Sequence, residues 1–322
     1  MSFAFLGLIV LSAVYFLVAS ALSLAVAAVV PAVEASILRL DPGRRTRRAL
    51  ALALLPAAGG LGATLGLALP AWLCFEPRGA VERPGLPVVM LALAGAILVT
   101  MRLGAALLDQ WRTSRLVRGF RARGRDLPGL AFDATRFPDE LPVAALAGII
   151  HPRLLLSDVL LHSLSPEELR AVVAHERAHV AARENLKRFL LRASPDPLAL
   201  LPAGSRLRAT FEEAAEAAAD RAACADVPPL LLARALLKVA ALAPPGRRLE
   251  LAAAALHREG TIAARVRALV LSHEEGASFE APAAPNGTRR WALPLAAALL
   301  AAASVSLSSA HRLLEALVHL LS

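Results

Sequence analysis

The chain has 322 residues, 57% of them hydrophobic and 19% charged, with a mean hydropathy of +0.57. That balance excludes an ordinary soluble domain and a disordered chain, and the apolar excess is gathered into long runs. The net charge of +9 is almost all arginine, but the arginines cluster beside the apolar runs, which argues for membrane topology and against nucleic-acid binding.

In chain order, residues 2–33 carry no charged side chain, and further apolar runs cover 49–75, 85–108 (interrupted by Arg102) and 291–310. Each is long enough for the ~20-residue helix that crosses ~30 Å of hydrocarbon. The first lacks a basic start and outlasts the ~7–15 apolar residues of a cleavable signal, so it reads as a span. Arg39, Arg44, Arg45, Arg47 and Arg48 lie between the first two runs, and Arg112, Arg115, Arg118, Arg121, Arg123 and Arg125 follow the third. The positive-inside rule puts both clusters in the cytoplasm, with the N-terminus outside and residues 111–290 inside. Arg102 is expected to snorkel to the inner headgroups. Cys74 and Cys224 then lie on opposite sides of the membrane and lack metal-site spacing.

The expected organisation is three membrane helices in 1–110, a cytosolic domain in 111–285, and a fourth membrane helix with a short outer tail in 286–322. Within the domain, "PVAALAGIIHPRLLLSDVLL" (142–161) reads as two short strands forming a hairpin or an edge. "SLSPEELRAVVAHERAHVAARENLKRFLLR" opens with Ser165, Pro166 and Glu168, an N-cap, a first-turn proline and the far half of a capping box. It is expected to run as one helix. "RLRATFEEAAEAAADRAACA", "LLLARALLKVAALA" and "TIAARVRALVL" supply three more helices.

His175, Glu176 and His179 form H-E-x-x-H inside the capped helix. A spacing of four puts both imidazoles on one face, able to bind a single metal ion, with Glu176 in reach of a water beside it. Zinc suits such donors, and a catalytic site leaves one position open. A third ligand is needed. "FEEAAEAAADRAA" offers Glu212, Glu216 and Asp220 on one stripe. Glu216 is preferred because it has an aspartate at i+4, so that Asp220 can accept the free ring N–H of a ligating histidine. The competing reading, a solvated acidic face, fits poorly on a helix that is otherwise mostly alanine.

"HPRLLLSDVLLHSLSPEELRAVVAHERAHVAARENL" followed by "FEEAAEAAADRAA" resembles the BlaR/MecR-type membrane zinc metallopeptidases, bacterial relatives of the Ste24/HtpX-like enzymes. The resemblance covers roughly residues 85–275. It implies about four transmembrane helices and a cytosolic α+β gluzincin-like peptidase domain with a small sheet, in a bacterial inner membrane. It further implies one zinc held by His175, His179 and Glu216, Glu176 as base, and Asp220 behind the ligands. The expected partners are the lipid bilayer and a protein substrate: a transcriptional repressor, or the chain itself. Many relatives carry aspartate where this chain has Glu184, and the chain offers no penicillin-binding sensor after the fourth run. A Ste24-like processing peptidase and a catalytically silent scaffold are the alternatives. Residues 144–157 are the expected substrate-binding edge, with proline at Ile150 expected to weaken cleavage. Arg153, Arg183, His151 and Arg221 are open candidates for stabilising an oxyanion.

Overall fold

The structure is a computed structural model, described over residues 2–77, 84–128, 133–139, 143–242 and 258–275. Among the described residues, three helices are long and apolar enough to cross a membrane: α1 (Phe3–Leu38), α2 (Pro42–Phe75) and α3 (Leu86–Arg123). They begin where first-turn chemistry dictates. Asp41 accepts from the backbone of Arg44 at the start of α2, and Pro42 and Pro87 occupy first-turn positions that need no donor. Small residues let these helices approach closely: a Cβ at Gly60 would stand 3.0 Å from the Tyr15 ring, and one at Gly95 3.0 Å from Phe16. The fourth apolar run lies outside the described residues.

Helix α3 continues well past its apolar stretch and delivers the chain to a four-stranded sheet of order β1-β2-β4-β3. β1 (Arg125–Asp126) runs antiparallel to β2 (Ala134–Phe137), which runs parallel to β4 (Arg153–Ser157). β3 (Ala144–Ala147) pairs antiparallel with β4 and forms the outer edge. The expected hairpin is therefore present, and two strands preceding it were not anticipated. Successive residues of β4 point to opposite faces. Leu154 and Leu156 enter the domain core with Leu160, Val172 and Leu232, whereas Leu155 joins Phe137 and Ala147, backed by Val117 and Phe120 of α3.

A short helix α4 (Asp158–Ser163) leads into α5 (Pro166–Ala181). The capping box is complete: Ser165 Oγ accepts from Glu168 N at 3.2 Å, and Glu168 Oε2 accepts from Ser165 N at 2.8 Å. The single helix expected from 165 to 192 is in fact two. Arg183 adopts φ 52°, the left-handed conformation, and α6 (Glu184–Ala193) sets off in a new direction. After a turn of 3-10 helix at Pro197–Leu200 come α7 (Pro202–Ala223), α8 (Pro229–Leu242) and α9 (Arg258–Glu274). α7 does not pack within the domain alone. Its Phe211 is buried with Leu191 and with Ala49 and Leu54 of α2, and Ala203 and Leu207 are buried with Val26 and Val30 of α1. The membrane helices thus complete the core on which α7 rests.

Candidate metal centre

α5 and α7 pack face to face and bring His175, His179 and Glu216 together. The two Nε2 atoms are 3.0 Å apart, and Glu216 Oε2 lies 3.5 Å from that of His175 and 3.8 Å from that of His179. Two ligands on a tetrahedral ion at ~2.1 Å are separated by about 3.4 Å, so these spacings are close to those of one metal between three donors.

The other face of each imidazole decides its tautomer. His175 Nδ1 is 3.0 Å from Asp220 Oδ1, and His179 Nδ1 is 2.5 Å from Glu184 Oε2. His179 Nδ1 is hydrogen-bonded to Glu184, and His175 Nδ1 has Asp220 within reach without a directed bond; a proton held on that side of each ring leaves Nε2 to face the other. Two buried ring nitrogens and the half-buried Glu216 carboxylate converge as a donor set for a cation, and the Arg265 guanidinium lies against its rim, 3.4 Å from His175 Nε2. Two imidazoles with one carboxylate are donors suited to zinc.

Without a metal ion, the carboxylates draw a proton onto His175 in its place. Burial opposes protonation of His175, but Asp220 and Glu216 outweigh it and carry its pKa up to about 9. Burial would raise the Glu216 carboxyl, yet the hydrogen bond to His175, with Arg265 and His179 nearby, holds it well below the usual carboxylate range. Glu176 moves the other way: burial pushes it above the ordinary value, and the neighbouring histidines only partly counter this.

Residues 110–256 match the model of peptidase family M48. No curated protein and no solved structure matches. M48 is a family of metallopeptidases, and the matched segment contains His175, Glu176, His179, Glu184, Glu216 and Asp220.

Arg188 and Arg265 were not expected at the site, and Glu184, noted in the sequence only as a departure from the aspartate of many relatives, was not expected as a partner of His179. Glu184 is almost wholly buried as the partner of His179; an unbroken helix would have placed it off the histidine face, and only the turn at Arg183 swings it back. Arg188, one turn along α6, donates to Glu212 Oε2 at 2.9 Å and approaches Glu216 Oε1 at 3.5 Å. Arg265, from α9 and beyond the matched segment, donates to both oxygens of Asp220 at 2.7 Å and to Glu216 Oε2 at 2.9 Å. Glu212, the rival third ligand, thus faces Arg188 and lies outside the three-residue cluster.

The oxyanion candidates fare differently. Arg153 is engaged on the sheet by Asp126, Asp133 and Thr135, and Arg183 is the exposed hinge residue. His151 and Arg221 are exposed. Ile150 lies in the bend after β3 and is 82% exposed, so a proline there would not test the strand.

Proposed function

We propose that this protein is an integral-membrane zinc endopeptidase whose active site faces the cytosol. The observation that carries the reading is the convergence of His175 Nε2, His179 Nε2 and Glu216 Oε2, with a carboxylate behind each imidazole. When bound, zinc supplies Lewis acidity, lowering the pKa of a coordinated water toward about 7 and polarising the scissile carbonyl. Glu176 sits beside the first ligand on α5 and serves as the base: it takes the attacking water's proton and returns it to the leaving nitrogen. Its elevated pKa suits it to both transfers. Asp220 and Glu184 keep the two imidazoles in the ligating tautomer.

The membrane assignment is supported by the three apolar helices, and the cytosolic orientation by the arginine clusters at residues 39–48 and 112–125. Regulated cleavage of a repressor or of the chain itself, in a bacterial inner membrane, is supported by the BlaR/MecR-type resemblance.

The edge strand offers a seat for an extended polypeptide. Ser157 N bonds to Val143 O, so the alternation of the ladder turns the N–H and C=O of Ala144 and Leu146 outward. Asn185 Nδ2 already donates to Leu146 O at 3.2 Å and to Gly148 O at 2.8 Å, which fixes the strand's end. A cleft of about 210 Å3 opens there between Leu146–Ile149, α6 and α3, with Arg188 on its wall.

The deciding experiment compares wild type with Glu176→Gln in membranes, assaying zinc and mapping fragments by intact mass. Equal zinc with fragments only in wild type is the expected result. Equal zinc with equal fragmentation would remove Glu176 from the chemistry, and absence of zinc from both would overturn the metal site.

A further inference from the structure

Residues 194–201 connect the two helices that surround the metal site, and they do so from an unexpected place. Ser194 O, Pro195 O and Leu198 N are bonded by side chains of the membrane helices. Tyr15 OH donates to Pro195 O at 2.8 Å, and Leu198 N donates to Ser23 Oγ at 3.1 Å. Arg102 Nε donates to Ser194 O at 3.1 Å, and another of its nitrogens donates to Leu191 O at 2.9 Å. Arg102 therefore does not reach for lipid headgroups.

Helix α1 serves as a depth gauge. Arg206 pairs with Glu34 near its inner end, Leu198 packs with Val26 and Val30, and Pro195 meets Tyr15. Tyr15 lies twelve residues after Phe3, roughly 18 Å along the axis, and nineteen before Glu34, about 28 Å. The tip of the connection thus stands near the middle of the uncharged run of α1. Irregular backbone survives at that depth where protein encloses and pairs it, and these contacts pair Ser194 O, Pro195 O and Leu198 N. Asp196 is buried within the turn, accepting from Ser194 Oγ and from Leu198 N. Leu200, by contrast, is 72% exposed, an apolar side chain facing outward beside membrane helices.

We propose that residues 194–201 form a re-entrant membrane segment slung between the first and third membrane helices by Tyr15, Ser23 and Arg102, and that Arg102 is a positioning residue for the metal site. The physical logic is that a charge inside a membrane span is costly unless it is partnered, and here its partners are the last carbonyls of α6, where a cation also opposes the helix dipole. α6 carries Glu184, which orients His179, and Arg188, which reaches Glu216. A shift of α1 against α3 is carried through this sling to both. The positioning half rests on the zinc reading; the membrane half does not.

The test uses the full chain in nanodiscs, with Cys74 and Cys224 replaced by alanine and a charged, membrane-impermeant maleimide as probe. Leu200→Cys is expected to resist labelling until the protein is denatured, while Arg170→Cys, exposed on α5, labels at once. Equal labelling of the two overturns the re-entrant segment, whether or not the protein binds zinc. Arg102→Leu is expected to unmask Leu200→Cys and to weaken zinc binding, measured by chelator competition, by about tenfold or more, the usual cost of losing support behind a ligand. Arg102→Lys, able to meet the same carbonyls, is expected to restore protection and most of the affinity in a monodisperse protein. Zinc affinity unchanged in Arg102→Leu, or no recovery in Arg102→Lys, overturns the positioning role.

Discussion

Glu184 and Asp220 stand at the outer nitrogens of the two imidazoles of the candidate metal site, one at His179 and one at His175. Glu184→Ala should leave the fold intact and weaken zinc binding by roughly 10–100-fold, because the ring loses both its tautomer and its orientation. Chelator titration of the purified protein checks this, and an affinity equal to wild type would show that His179 is fixed by packing alone. The raised pKa of His175 gives a pH prediction with two signs. Its metal-free pKa, about 9, lies above the unfolded value of about 6.5. The ion pairs of protonated His175 therefore stabilise the metal-free protein fully below about 6.5, and that contribution is lost as pH rises to about 9. Zinc competes with the same proton, so its affinity should climb over the same interval. Thermal melts of chelated and zinc-loaded protein across this range should diverge, the chelated form falling as the loaded form gains. Parallel curves would mean that His175 is not where proton and metal compete. At this scale the sequence was most informative: spacing put His175 and His179 on one helical face, and the i+4 aspartate singled out Glu216 from Glu212 as the acid that the fold brings beside them. Glu184 and Arg265 were illegible because their positions depend on a turn and a helix packing that no local pattern encodes.

At the scale of elements, the break between α5 and α6 is the feature on which the site turns. After the first-turn Pro166, the amphipathic run to 192 contains no glycine or proline to announce it, so a continuous helix was the natural expectation. The break is made by Arg183 at φ 52°, a conformation costing roughly 1 kcal/mol for a residue with a Cβ. Arg183→Gly should remove that strain, raising or preserving thermal stability without loss of zinc. Arg183→Val, β-branched and worse in this region, should lower both. If valine is as well tolerated as glycine, the left-handed turn is not what returns Glu184 to His179. The start of α5 was legible for the opposite reason. Ser165, Pro166 and Glu168 satisfy each other within four residues, and no tertiary context is needed to read them. The role of Glu168 in also binding Arg234 and Lys238 of α8 is long-range and went unseen.

For the whole molecule, the membrane helices and the metal domain are one packed object rather than an anchor and its cargo. α7 carries Glu216 while its other face lies against α1 and α2, and α3 runs without interruption from an apolar span to the back of the sheet. Hydropathy could locate these spans, since composition alone decides them, but it could not show that their inner faces serve as the floor of the domain. The cleft formed by α3, α6 and the end of β3 follows from this arrangement and sits beside Arg188. If a polypeptide substrate adds to β3 there, it must pair with the outward groups of Ala144 and Leu146. Leu146→Pro removes one outward N–H and leaves the β3–β4 ladder intact, because Leu146 does not donate to β4 in this register. Cleavage should fall by an order of magnitude or so, about the effect of one lost hydrogen bond at ~1.5 kcal/mol, with zinc content unchanged. Ala145→Pro, which strikes the inward ladder instead, should cost stability as well. Full activity in Leu146→Pro would show that substrate reaches the metal by another path, across the face of α5 and α9 rather than along the sheet edge.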